Sequence, residues 1–173
     1  QLHQRQHRDQ SQRMNWYDTI AEGYDELRGE EQRRKFAVFD DYIGDDMTVL
    51  DVGFGTGLSD AYFDATIIGL EPSTGMLNEY DGDATTYNEE ASNIPEIFGA
   101  NVFDAALCVS TAHHFDNLDQ GLKTIETAVT SDGYVFLSVF DDVADKANAI
   151  LADKDVLERC HVDRDTVLVY QLD

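Results

Sequence analysis

Val49-Leu50-Asp51-Val52-Gly53-Phe54-Gly55-Thr56-Gly57 decides the fold. Three apolar residues out of four, then glycines at alternate positions, read as a buried strand entering a tight turn. Each missing Cβ lets the backbone take positive φ and lets another molecule lie close against it. The turn should lead into a helix whose free N–H groups face whatever lies there. That is the anatomy of a nucleotide-type site on a doubly wound sheet.

The residues around the glycines narrow the ligand. A phosphate-cradling loop needs a Lys-Ser/Thr pair after its last glycine, whereas Leu58 and Ser59 stand here. A dinucleotide fingerprint spaces its glycines G-x-G-x-x-G, whereas this run is G-x-G-x-G. Asp51 would also turn like charge toward a pyrophosphate. A ligand with an ammonium group and no phosphate suits that carboxylate, and S-adenosylmethionine is such a ligand.

Further segments follow in order: Ile67-Ile68-Gly69-Leu70-Glu71-Pro72-Ser73, Glu89-Glu90-Ala91-Ser92-Asn93-Ile94-Pro95, Phe103 to Ser110 with Ala112-His113-His114-Phe115 after it, and Asp132-Gly133-Tyr134-Val135-Phe136-Leu137. With the D-x-G-x-G-x-G opening, this series resembles the class I S-adenosylmethionine-dependent methyltransferases of the small-molecule type. The resemblance spans residues 14 to 140. It implies an α/β, Rossmann-like doubly wound sheet of seven strands, mostly parallel with an antiparallel last strand, and helices on both faces.

Composition sets bounds. A chain of 173 residues suits one domain with a substantial core. Its 35 acidic residues against 12 basic give a net charge of -23, and 24 of the acidic side chains are Asp. They are spread along the chain, so a disordered acidic tail is a poor reading. Self-repulsion on this scale destabilises a compact state in dilute buffer, a lever halophiles use. The expectation is a cytoplasmic protein from a high-salt organism. The same charge argues against nucleic acid in dilute buffer, although in molar salt the Debye length shrinks to about 3 Å. Seven basic residues lie in the first 35 positions (Arg5, Arg8, Arg13, Arg28, Arg33, Arg34, Lys35), and read as a solubilising tail plus a solvated helix face. The two cysteines, Cys108 and Cys160, read as packed thiols in a reducing compartment. No signal peptide, membrane span, zinc-ligand spacing or repeat is evident. A homodimer stays open.

Residues 1–13 read as a polar mobile tail, 14–45 as a helical cap and 46–173 as the Rossmann-like core of one domain. Helices are expected over 16–22 and 30–43, the second through Phe36, Phe39 and Ile43. Strands are expected at 48–52, 66–70, 85–87, 105–109 and 134–140, with helices at 59–63, from Ser73 as N-cap through Tyr80, and 142–153. Leu118, Leu122, Ile125 and Val129 share a helical spacing. A hairpin, 156–161 with 166–172, closes the chain.

The resemblance assigns roles. Gly53, Gly55 and Gly57 let the methionine part of the cofactor approach, and Asp51 fixes its amino-acid head. Glu71, twenty residues on at a strand end, takes the ribose hydroxyls. Pro72 and Met76 flank the adenine, and Glu90 with Ala91 meets its amino group, Asp83-Ala84 being the competing candidates. Tyr24 and Ser110 complete the cofactor set. Tyr17 and His114 face the substrate. His113 and His114 are candidate bases, since a neutral imidazole can take a proton from an acceptor; the blander alternative has them packing the loop and lining the pocket.

Three functions remain open: methyl transfer to a small molecule, methyl transfer to RNA or protein with the basic N-terminus as docking arm, and a non-catalytic cofactor-binding partner subunit. The first leads. The Asn/Asp-Pro-Pro-Tyr/Phe loop for exocyclic amines of bases is absent, Ser110-Thr111-Ala112-His113 standing in its place, and no Pro-Cys nucleophile occurs.

Overall fold

The run 48–52 forms β1 (Thr48–Val52), and everything else is arranged about it. The structure is a computed structural model that describes residues 24–173, with side chains from Gly29 onward. The expected helix at 16–22, the polar tail and Tyr17 lie outside the described residues.

After α1 (Tyr24–Ala37), strands and helices alternate: β1, α2 (Leu58–Tyr62), β2 (Thr66–Leu70), α3 (Thr74–Asn78), β3 (Thr85–Tyr87), α4 (Ile94–Phe98), β4 (Phe103–Cys108), α5 (Leu118–Thr127), β5 (Val129–Phe140), α6 (Ala144–Ile150), β6 (Asp155–Val162) and β7 (Asp165–Gln171). The sheet order is β3-β2-β1-β4-β5-β7-β6. β1 pairs in parallel with β2 and β4, as do β2 with β3 and β4 with β5. Only β7 runs against its neighbours, pairing antiparallel with β5 and β6. This is the expected seven-stranded doubly wound sheet.

Central strands bury both faces, and period-two alternation divides them between two cores. Leu50, Val52, Ala106 and Cys108 face a cluster completed by Ile94, Leu118, Leu122, Ile125 and Ala147 from α4, α5 and α6. Val49, Ala105 and Leu107 face the other, with Phe36 of α1, then Phe39 and Phe63. Burying an aliphatic side chain of this size contributes about 1.5–3 kcal/mol, so these two layers fix how the strand ends line up.

Several boundaries differ from expectation. α1 stops at Ala37 rather than Ile43 because Asp40-Asp41 would put negative charge on a helix C-terminus. The chain continues in tight turns, with Val38 N–H on Lys35 O and Phe39 N–H on Phe36 O, and these carry Phe39 into the core. Val129 ends no helix: α5 stops at Thr127, and Val129 opens β5 opposite Phe103. α4 is a helix beyond those expected, with Pro95 in its first turn, where proline is tolerated. The helix expected at 142–153 is a 3₁₀ turn, Asp141–Val143, followed by α6. Ser73 does cap α3, its side chain accepting the Met76 amide. Among the described residues no helix is long and apolar enough to cross a membrane.

Candidate functional site

Parallel pairing brings the carboxyl ends of β1, β2, β3 and β4 to one edge, and the ligand crevice of such sheets lies there. The glycine turn occupies that edge. Gly53, Gly55 and Gly57 have φ of 86°, 61° and 89°, the left-handed region that only glycine enters freely. Two amides of the turn, Gly53 at 2.8 Å and Phe54 at 3.0 Å, donate to Leu70 O at the end of β2. The Phe54 ring lies on Gly69, where any Cβ would overlap it, and meets Tyr80 edge to face. On the opposite side, the Thr111 side chain fills the space that a Cβ on Gly53 would need. The turn is thus clamped between β2 and the loop after β4.

Two buried carboxylates flank it. Asp51, 6% exposed, accepts the Ser59 hydroxyl at 2.6 Å. Burial pushes its carboxyl up to about 7; the Ser59 hydrogen bond opposes this, and the Glu71 charge adds to it. Glu71 is also buried. One of its oxygens accepts the Gly55 amide and the other the Ser73 amide, both at 2.9 Å. A carboxylate oxygen has two lone pairs and can accept more than one donor. Two buried acidic groups at the ends of adjacent strands, one with its ionisation raised toward neutral pH, suit a ligand that brings positive charge and hydroxyl donors.

The other candidates sort by position. Pro72 is half-buried and Met76 buried in α3. The Asn88 side-chain amide donates to Glu71 O and Pro72 O, tying the end of β3 to this segment. Glu90 is exposed and Ala91 half-buried; Glu90 immediately precedes a 3₁₀ turn, Ala91–Asn93, after β3, on the crevice edge. Asp83 and Ala84 precede β3, at the opposite edge. Ser110 follows β4 with φ 58°. His113 and His114 are exposed in the 3₁₀ turn Ala112–His114. Their ring centroids are 4.0 Å apart, and His113 lies 4.9 Å from Phe140 at the end of β5. Tyr24 opens α1, and its side chain, like Tyr17, lies outside the described residues. Glycine turn, Asp51, Glu71, Pro72, Glu90, Ser110 and the histidines therefore share one edge.

One residue of that edge departs from expectation. Lys35 does not belong to a solvated helix face: it is 1% exposed, while its neighbour Arg34 lies open. Its ammonium contacts Asp165 at 2.8 Å, Ser110 Oγ at 2.8 Å and Glu31 at 3.3 Å. Gln32, Lys35, Phe36 and Phe39 are all buried, and their i, i+3, i+4, i+7 spacing is the signal that could have found it. Beyond Lys35, an open cavity of about 720 Å³ is lined by Glu31, Phe140, Asp141, Asp165 and neighbouring residues. Among the described residues no group of His, Cys, Asp or Glu is arranged to hold a metal ion.

Known proteins share this fold. A family model described as a methyltransferase domain matches residues 50–137. The fold is similar to that in a complex between the Haloferax volcanii Trm112 methyltransferase activator and a proposed methyltransferase, with TM-score 0.76 and 13% identity over 90% of this chain and 96% of the other. It also resembles the Burkholderia thailandensis 1,6-didemethyltoxoflavin-N1-methyltransferase, whose structure holds S-adenosylhomocysteine, with TM-score 0.74 and 17% identity over 96% of this chain and 90% of the other. A methyltransferase from Aquifex aeolicus gives 0.71 and 17%, over 89% and 97%. At such identities the likeness is one of fold. No curated protein matches the sequence.

Proposed function

The chain belongs to the methyltransferase domain family and is an S-adenosylmethionine-dependent methyltransferase, and from that premise we propose that it passes the methyl group to a small-molecule acceptor. The observation that carries the site assignment is the glycine turn clamped beside two buried carboxylates, Asp51 and Glu71, at the ends of adjacent strands. When bound, the cofactor supplies an electrophilic methyl on a sulfonium.

The residues of this chain bind and align. Asp51 takes the ammonium of the amino-acid head. Glu71 accepts from the ribose hydroxyls while holding the turn through Gly55. Pro72 and Met76 flank the adenine, and Glu90 with Ala91 meets its amino group. Gly53, Gly55 and Gly57 admit the methionine part. Ser110, at the exit of β4, borders the reacting end, and Tyr24 belongs to the same cofactor set. Tyr17 and His114 face the acceptor, and His113 or His114 takes its proton where the acceptor ionises late. Alignment of this kind supplies about 7–11 kcal/mol of a barrier, so little further machinery is required. The loop after β4, where Ser110-Thr111-Ala112-His113 stands in place of Asn/Asp-Pro-Pro-Tyr/Phe, supports a small acceptor over an exocyclic amine of a nucleobase.

Calorimetric titration in concentrated KCl with S-adenosylmethionine, S-adenosylhomocysteine and a nicotinamide dinucleotide tests the site. Uptake of the first two and not the third is expected; the reverse would sink the assignment. A screen of small oxygen, nitrogen, carbon and thiol acceptors then tests the substrate class. Deleting residues 1–13 should leave turnover intact, and loss of RNA binding on that deletion would favour the macromolecular reading. Likeness to the fold in the activator complex supports a second reading, a subunit that needs a partner. Cofactor uptake without any turnover would favour it.

A further inference from the structure

Lys35 is the one described lysine or arginine that is buried, and its ammonium donates to Glu31 and Ser110 and forms an ion pair with Asp165, three acceptor groups in all. The acceptors lie on three parts of the chain: Glu31 one turn back on α1, Asp165 at the start of β7, and Ser110 at the exit of β4. A fully buried ammonium is costly to retain merely to neutralise Asp165, and its third contact has a geometric consequence. Ser110 sits at φ 58°, a conformation that an L-residue avoids. Three hydrogen bonds hold it there: its hydroxyl accepts from Lys35 and donates to Gln32 at 3.3 Å, and its amide donates to Ser138 Oγ at 2.7 Å. The next residue, Thr111, packs on Gly53.

We propose that Lys35 is a positioning residue for the cofactor crevice: by pinning Ser110 in the left-handed conformation it seats Thr111 on Gly53, so that the glycine turn takes its shape only while α1 lies on the sheet. The inference rests on the reading that S-adenosylmethionine occupies that crevice. The polar contacts of Lys35 are with Glu31, Asp165 and Ser110 rather than with the turn, and it acts through Ser110. It joins the acceptor side, where Glu31 and Asp165 line the cavity, to the cofactor side.

A double-mutant cycle on the full chain tests this, with S-adenosylhomocysteine affinity by calorimetry as the readout. Lys35→Met keeps the apolar stem and removes the tether, and should weaken binding about tenfold, the size of one displaced hydrogen-bonded contact. Ser110→Gly adopts positive φ without help. In that background Lys35→Met should change affinity little, and hydrogen exchange at amides 110–115 should rise only in the Lys35→Met single variant. Unchanged affinity in Lys35→Met overturns the proposal. Equal losses in both backgrounds also overturn it, because Lys35 would then act by docking α1 or by charge. Should Lys35→Met fail to fold because Asp165 is left a buried orphan, Lys35→Met with Asp165→Asn removes both charges and enters the same cycle under the same criteria. If the wild type takes up no S-adenosylhomocysteine, the cofactor reading itself falls and takes this one with it.

Discussion

Glu71 accepts the amide of Gly55 at 2.9 Å, so the residue assigned to the ribose also holds the turn assigned to the methionine. Its second oxygen is on Ser73 N–H, at the N-cap of α3. One carboxylate therefore joins the turn after β1 to the helix after β2. Scaffold and proposed ligand contact reside in the same side chain, which makes its substitution informative.

Glu71→Gln should cost both stability and affinity. A glutamine offers one oxygen, so either Gly55 or Ser73 loses its acceptor and meets an –NH₂ instead. A buried donor left unsatisfied costs about 1–3 kcal/mol. Loss of a charged acceptor for the ribose should weaken S-adenosylhomocysteine by about tenfold to a hundredfold. Chemical denaturation and calorimetry read the two effects. Wild-type preference for the ligand over its 2′,3′-dideoxy analogue should vanish in the variant. An undiminished preference would remove Glu71 from the ribose.

Asp51 should make cofactor uptake release a proton. Its folded pKa of about 7 lies above the ordinary 3.8. Between those values the folded chain keeps a proton that the unfolded chain has lost, so stability falls as pH rises through that window, by up to about 4 kcal/mol. A bound ammonium favours the ionised form and reverses the preference. Affinity for S-adenosylmethionine should therefore rise about tenfold from pH 6 to 8, since the proton released falls from nearly one at pH 6 to about a tenth at pH 8, roughly half on average. Calorimetry in two buffers of different ionisation enthalpy measures that proton directly. Asp51→Asn should bind weakly, with no pH dependence over the range; a steep profile in that variant would place the titrating group elsewhere.

Much of this edge was legible in advance because its signals are local. The strands at 48–52, 66–70 and 85–87 stand where expected: the first two are apolar runs rich in β-branched residues, closed by glycine or proline. The side of β3 on which Glu90 falls follows from parallel topology alone. The helical spacing of Lys35 with Gln32, Phe36 and Phe39 carried its burial, but its contacts were illegible for the opposite reason. Beside Arg33 and Arg34 a third cation looks solvated, and its partners Ser110 and Asp165 are brought to it only by the tertiary fold. The end of α5 failed similarly: Val129 continues the helical spacing of Leu118, Leu122 and Ile125, yet pairing with Phe103 recruits it into β5.

Gly53→Ala should damage the turn by two separable routes. Left-handed φ costs an L-residue about 1–2 kcal/mol, and the new methyl collides with the Thr111 side chain. Thr111→Ala removes the atoms of the closest collision. The double variant should therefore melt above Gly53→Ala alone, while still failing to bind S-adenosylhomocysteine like the wild type. Additive losses in the melting temperature would show that Thr111 does not rest on Gly53.

Salt should stabilise this chain by screening rather than by any specific ion. Its net charge is -23, and like charges brought together on folding repel over about 10 Å in dilute buffer but about 3 Å in molar salt. The melting temperature should climb from dilute buffer to molar KCl, most of the gain coming early, where the Debye length falls fastest. Asp64 and Asp81 are exposed, so Asp64→Asn with Asp81→Asn changes charge with little else. That double variant should be more stable than the wild type by a few tenths of a kcal/mol in dilute buffer and equal to it in molar KCl. An advantage that persists in molar KCl would point to local effects of the two side chains, and a melting temperature indifferent to KCl would remove self-repulsion as a force on this fold.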